Sequence, residues 1–283
     1  MLEFEIEIAP GLAGDLATRI MALWPGLEVK TYKESVCFRL PLDENTDINL
    51  QRLEKALQAL EKIRVLDPVN VKTRNLAGPD SAPKLLRRGR FVIQRPGVEV
   101  QAEADQVVLT LEPGLAFGTG GHPSTALTLT AMDEYFNPSP GSPSRSGVRV
   151  LDVGTGSGIL ALAAARLGAG PILAVDSSHE AVETARRNAA LSGVASEITV
   201  SRTTLDKVSG EFGLILANLV PAVLVRAGKK LPRLLAPEGT MIVAGFADSQ
   251  TPQIVKAMTK AGLVIIKSYS QAGWAALTFS GAA

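Results

Sequence analysis

From residue 148 to the C-terminus, short apolar runs alternate with segments whose apolar residues recur every three or four positions. The runs predict strands at 148–153, 171–176, 196–201, 212–217, 239–244, 263–270 and 274–280, and the periodic segments predict helices at 158–167, 178–191, 221–235 and 250–261. The 178–191 segment is the plainest. Glu180, Glu183, Arg186 and Arg187 fall on one side of it, and Ala181, Val182, Ala185 and Ala189 on the other. Alternation of strands and helices implies a parallel sheet covered on both faces, a doubly wound α/β fold. The last two strands have only Gln271-Ala-Gly273 between them, so they predict an antiparallel hairpin at the edge of that sheet.

Ahead of this region the rhythm differs. Residues 3–8 alternate with a period of two and predict a strand, followed by a helix over 11–23 that Trp24-Pro25-Gly26 stops. Strands follow around 28–32 and 36–40, then a helix over 46–63 with Leu50, Leu53, Leu57 and Leu60 on one face. A last strand falls at either Arg64–Asp67 or Val69–Lys72. This βαββα(β) order predicts a small α+β domain over 1–72, ferredoxin-like in arrangement. Residues 73–90 lose periodicity, collect Gly, Pro and basic residues, and read as a linker to a second domain over 91–283. That domain opens with strands near 90–94 and 106–111, and Asn137–Gly147 is almost pure turn chemistry.

Composition allows one large or two moderate packed domains: 283 residues, 46% of them hydrophobic and 20% charged. A net charge of +1 gives no electrostatic reason to expect a nucleic-acid or membrane partner. The basic run Lys84, Arg87, Arg88 and Arg90 reads as solvated surface, the alternative being contact with an acidic substrate or RNA. The single cysteine, Cys37, excludes an intrachain disulfide, and its strand setting reads as a buried core residue. No apolar stretch approaches the roughly 20 residues of a membrane span, and the N-terminus lacks a secretory pattern. The expected location is cytoplasmic.

The chemistry gathers at Val148-Arg-Val-Leu-Asp-Val-Gly-Thr-Gly-Ser-Gly158, where a strand breaks into glycines and a helix starts at once. Such a turn is where a doubly wound sheet receives a nucleoside-bearing ligand. A dinucleotide fingerprint needs glycine where this chain has Ile159, and there is no Lys-Ser/Thr pair for a phosphate loop. Instead Asp152 precedes Gly154, Gly156 and Gly158, which suits a ligand with a cationic amino-acid tail, S-adenosylmethionine. Asp176 ends the next strand, about where an acid accepts hydrogen bonds from ribose hydroxyls. The plainer alternatives are an ordinary turn for the glycines and a helix cap for Asp176.

Pro113-Gly-Leu-Ala-Phe-Gly-Thr-Gly-Gly-His-Pro-Ser-Thr-Ala126 closely resembles the PGLAFGTGTHPTT signature of the methyltransferases that modify ribosomal protein L11, the PrmA family. Leu151–Gly158, Ala189-Ala-Leu-Ser-Gly-Val194 and Leu216-Ala-Asn-Leu219 resemble that family's glycine loop, helix end and fourth-strand motif in the same order. The resemblance implies a class I, Rossmann-like methyltransferase sheet, an S-adenosylmethionine cofactor, and methylation of lysine or N-terminal amino groups of ribosomal protein L11. It carries cofactor contacts onto Thr125, Gly154, Asp176 and Asn218, and gives substrate recognition to the N-terminal domain. The chain departs from the family at Thr155 (usually cysteine), Ser124 (usually threonine) and Asp176-Ser-Ser-His179 (commonly Asp-Ile-Asp-Pro), and lacks the usual tryptophan-bearing acidic segment before the catalytic domain.

Methyl transfer from a sulfonium to an amine needs alignment, a neutral amine and a dry pocket; it needs no metal, and two histidines and one cysteine could not build a zinc site. Phe117–Gly121 is expected to form a glycine-flexed flap over the cofactor's methionine end, with Phe117 at the reacting centre. Asn218, ending the strand 212–217, is placed to accept from the incoming amine and donate to the cofactor. Asn218-Leu-Val-Pro is unlike the Asn-Pro-Pro-Tyr/Phe string of enzymes that methylate amides, which favours an alkyl amine. His122 reads either as a loop-fixing hydrogen bonder, which we favour, or as a proton acceptor; His179 reads as surface. Two rival functions stay open at this stage: methylation of RNA or a small molecule, and a non-catalytic binding module.

Overall fold

Period-two alternation builds a strand with one face to bury, and Leu2–Glu7 form β1. The computed structural model describes residues 2–7, 13–25, 27–32, 35–40, 71–75, 85–112, 120–138 and 144–281. Strand β1 lies between β3 (Ser35–Leu40) and β4 (Val71–Asn75), and β2 (Val29–Thr31) pairs with β3, every pair antiparallel. The order β2-β3-β1-β4 is that of a ferredoxin-like sheet. Helix α1 (Ala13–Leu23) buries Ala13, Leu16, Ala17 and Ile20, and ends where Trp24 stacks on Phe38 at 6.5 Å. Cys37, expected in the core, is half-buried on β3. The helix expected over 46–63 lies outside the described residues. Of the two positions expected for the last strand, β4 overlaps the second and continues into residues expected as linker.

The chain divides into compact units at Met1–Pro83 and Lys84–Ala283. In the second unit, β5 (Leu85–Arg88) was also expected to be linker. It pairs antiparallel with β6 (Phe91–Gln94), and β6 runs parallel to β7 (Val107–Thr110), giving a three-stranded sheet. The main sheet has seven strands: β8 (Val150–Val153), β9 (Ile172–Val175), β10 (Ile198–Ser201), β11 (Phe212–Asn218), β12 (Leu235–Ala247), β13 (Leu263–Gln271) and β14 (Trp274–Gly281). Their order is β10-β9-β8-β11-β12-β14-β13, with β14 antiparallel to both neighbours. The C-terminal hairpin therefore exists as expected, but its second strand is inserted and its first strand forms the edge. Ala272 and Gly273 at its tip both have positive φ (51° and 79°), the mirror-image turn that matches strand twist.

Apolar side chains on both faces place the central strands between two cores. Val150, Leu214, Leu216 and Ile242 face α2 (Pro123–Phe136), α3 (Ile159–Arg166), α4 (His179–Leu191) and the small sheet. Leu151, Ile215, Ala217, Met241 and Val243 face α5 (Pro221–Ala227) and α6 (Thr251–Thr259). The helix expected over 221–235 stops at Ala227 and resumes as a 3-10 turn over Leu231–Leu234. Pro232 explains the break, since its ring lacks an N–H and clashes with the carbonyl four residues earlier in a continuous helix. Among the described residues no helix is long and apolar enough to cross a membrane.

Candidate functional site

Parallel pairing brings the site together. Asp152 on β8 is registered with Leu216 on β11, so Asn218 stands two residues nearer the carboxyl edge on the same sheet face. Beyond β8 the chain crosses toward β9, and the N–H groups of Gly154 and Thr155 both donate to the Val175 carbonyl, at 2.8 and 3.1 Å. Gly154 has φ +70°, and a Cβ there would collide with Leu219 just past Asn218. Gly158 caps α3 in the left-handed region (φ +86°), its ideal Cβ position only 3.1 Å from Ala185 Cβ on α4. The glycines are thus fitted to their neighbours as well as to the turn.

The polar groups along this edge are unequally satisfied. Asp152 is 1% exposed; its Oδ2 accepts from Thr155 Oγ1 at 2.6 Å, and its Oδ1 has no partner. Burial pushes its carboxyl from 3.8 up to about 6, opposed by the Thr155 hydroxyl and the Ala161 N–H and assisted by the charge of Asp176. Asp176 accepts from Gly156 N at 3.0 Å and from Ser178 N at 2.9 Å, one bond to each oxygen, which leaves each a further lone pair. The cap of α4 is Ser178, whose hydroxyl accepts from Ala181 N. Asn218 Nδ2 donates to Thr125 Oγ1 at 3.4 Å, while its Oδ1 is buried without a partner. Thr125 is fully buried in the first turn of α2.

His122 caps α2. Its Nδ1 accepts from Ser124 N at 3.1 Å and lies 2.7 Å from Ser124 Oγ, and its ring meets Trp274 edge-on at 4.4 Å. Burial lowers its pKa to about 4, so the ring is neutral at physiological pH and fixes the loop. His179 is exposed at the start of α4. Phe117, with the rest of 113–119, lies outside the described residues. Asp152, Gly154, Gly156, Gly158, Asp176, Asn218 and Thr125 do line one edge of the sheet.

Several supporting residues escaped the sequence reading. Arg88 and Arg90, expected as solvated surface, are half-buried and bonded within the fold: Arg88 donates to the carbonyls of Gly120 and Gly121 at 3.1 and 3.0 Å, and Arg90 pairs with Asp133 at 2.6 Å. Asn188 bridges from α4, accepting from Glu112 N at 2.9 Å and donating to Ser157 O at 2.8 Å. Ser192 Oγ bonds both the N–H and the carbonyl of Thr110. The last two had a signal, because they extend the apolar face of 181, 185 and 189 at helical spacing.

Two orphaned buried acceptors and a half-used carboxylate fit a cofactor offering an ammonium and ribose hydroxyls with an acceptor amine beside it. Residues 86–281 match the family described as Ribosomal protein L11 methyltransferase (PrmA). The chain is similar to the ribosomal protein L11 methyltransferase of Chloroflexus aurantiacus, 37% identical over 270 residues that make up 84% of this chain and 79% of that one. It is also similar to that of Heliobacterium modesticaldum, 34% identical over 259 residues, 89% of this chain and 77% of the relative. The crystal structure of ribosomal protein L11 methylase from Lactobacillus delbrueckii subsp. bulgaricus aligns with a TM-score of 0.63 at 32% identity, covering 71% of this chain and all (100%) of that chain.

Proposed function

We propose, for a chain that belongs to the ribosomal protein L11 methyltransferase family and is an S-adenosylmethionine-dependent methyltransferase, that the acceptors are lysine or N-terminal amino groups of ribosomal protein L11. The observation that carries the amine reading is Asn218 Oδ1, a buried acceptor without a partner at the carboxyl edge of β11. An amine hydrogen is what that oxygen lacks. S-adenosylmethionine, when bound, supplies a methyl group made electrophilic by the adjacent sulfonium.

In this reading Asp152 Oδ1 takes the cofactor's ammonium, Asp176 its ribose hydroxyls, and the backbone of Gly154, Gly156 and Gly158 lets it approach the sheet closely. Thr125 orients the Asn218 amide through the Nδ2 contact, leaving Oδ1 to align the amine. With the cofactor held there, Asn218 Oδ1 would align the acceptor nitrogen with the methyl group, and the amine proton would pass to solvent. The first unit, Met1–Pro83, selects the protein substrate while the second, Lys84–Ala283, holds the cofactor, and the reaction takes place in the cytoplasm.

The test is labelled methyl transfer into purified ribosomal protein L11, with mass spectrometry of the product. Asn218→Ala should lower kcat more than it weakens cofactor binding, because an alignment contact is strongest in the transition state. The rate should rise with pH, since only the neutral amine attacks and free lysine titrates at about 10.4. Unmethylated L11 with intact cofactor binding would mean a different acceptor. Intact turnover in Asn218→Ala would leave that residue no part in alignment.

A further inference from the structure

We propose that Thr155 is a positioning residue for cofactor binding: its hydroxyl holds one oxygen of Asp152 so that the other meets the ammonium of S-adenosylmethionine as a carboxylate. The inference rests on the cofactor reading above and adds a residue which that reading leaves without a role. Thr155 Oγ1 donates to Asp152 Oδ2 at 2.6 Å, and both residues are buried. A hydroxyl has one proton, and giving it to Oδ2 fixes the carboxyl plane and leaves Oδ1 bare. The hydroxyl starts from a fixed place. Thr155 N–H donates to Val175 O at 3.1 Å, its carbonyl accepts from Gly158 N at 2.8 Å, and a β-branched side chain is stiff about χ1.

The groups that face Asp152 are few: the Thr155 hydroxyl from the glycine loop, the Ala161 N–H from α3, and the charge of Asp176 from the end of β9. Burial and Asp176 drive the carboxyl toward its neutral form, while the Thr155 hydroxyl, and more weakly the Ala161 N–H in the first turn of α3, favour the ionised form. With its pKa at about 6, it is ionised at neutral pH by a small margin. Loss of the hydroxyl puts the neutral acid within reach of physiological pH, and a neutral acid is a poor partner for an ammonium.

The experiment uses the full chain, with Thr155→Val keeping the shape without the donor and Thr155→Ser restoring it. Calorimetry follows two probes: S-adenosylhomocysteine, which has the ammonium-bearing tail, and 5′-methylthioadenosine, which has the adenosine thioether without that tail. Thr155→Val should weaken S-adenosylhomocysteine about tenfold near pH 7 and less near pH 8, where the carboxyl ionises again. Thr155→Ser should stay within about twofold of wild type, and methylthioadenosine should bind all three proteins alike. Equal weakening of both probes in Thr155→Val overturns the proposal in favour of a purely structural role. So does wild-type affinity in that variant, or a serine variant no better than valine. Wild-type protein that binds neither probe refutes the cofactor reading itself and takes the proposal with it.

Discussion

Asn188→Ala tests whether the site is held together through the inner face of α4. The side chain is fully buried (0% exposed) and makes two hydrogen bonds, from Glu112 N and to Ser157 O. Truncation removes both bonds at once. A buried polar group left unsatisfied costs about 1–3 kcal/mol. Ser157 is itself buried and belongs at the upper end; Glu112 is half-buried, so water can reach its N–H and it belongs at the lower end. The sum is about 2–4 kcal/mol, which for a unit of this size lowers Tm by roughly 5–15 °C. Thermal unfolding by circular dichroism, on the full chain and at fixed protein concentration, measures it. Because Ser157 lies inside the glycine loop, the affinity for S-adenosylhomocysteine should fall as well. A Tm change under about 2 °C with unchanged affinity would refute the reasoning, since it would mean that both stranded groups find new partners.

Three further outcomes follow from the same geometry. Arg88→Ala removes both donors to the carbonyls of Gly120 and Gly121; it should reduce kcat for the protein substrate by about tenfold, the equivalent of one charge-assisted hydrogen bond, while calorimetric cofactor affinity holds. Asp176→Ala strands the N–H groups of Gly156 and Ser178 in addition to any ribose contact, so it should weaken S-adenosylhomocysteine at least tenfold and lower Tm together, whereas Asp176→Asn should spare most of the Tm. His122 has its folded-state pKa lowered from 6.5 to about 4, so the unfolded chain binds the extra proton first and stability should fall as pH drops through that window. In urea titrations, His122→Asn, which can still cap α2, should flatten this part of the stability profile; an unchanged slope would assign the acid sensitivity elsewhere.

What was legible in the chain followed periodicity and glycine spacing. Strand, glycines and helix from 148 to 167 stand where expected because that segment carries its own instructions: two apolar faces, then turns only glycine makes easily. The break in the helix after Ala227 was missed because the apolar rhythm runs through Pro232, and the backbone constraint overrode the pattern. The linker expectation lost both its ends to strands for a related reason. Val71–Asn75 and Leu85–Arg88 are too short and too polar to show a period, and pairing with β1 and β6 makes them strands. Arg88 and Arg90 read as surface from charge alone, since a guanidinium's partners here are backbone carbonyls and an acid on a distant helix.

The least comfortable residue in the catalytic unit is also the one the sequence marked first. Lifting the Asp152 carboxyl from 3.8 to about 6 costs the folded chain roughly 3 kcal/mol by neutral pH, because between those values the folded state keeps a proton that the unfolded state has already released, and above them it carries a buried charge. The sign is that of destabilisation as pH rises between those values. An apolar residue at 152 would avoid the cost and continue the two-faced pattern of β8. Nothing in the packing requires an acid there, and the donors around it only half compensate: Thr155 satisfies Oδ2 and leaves Oδ1 bare. A group that burdens the fold and stays half-satisfied is what the proposed ammonium contact would complete. Asn218 repeats the logic two residues along the same face, one end of its amide bonded to Thr125 and the other without a partner. In the proposed reading these two unmet acceptors at the carboxyl edge would meet hydrogens on nitrogen, those of the cofactor's ammonium and of the acceptor's amine.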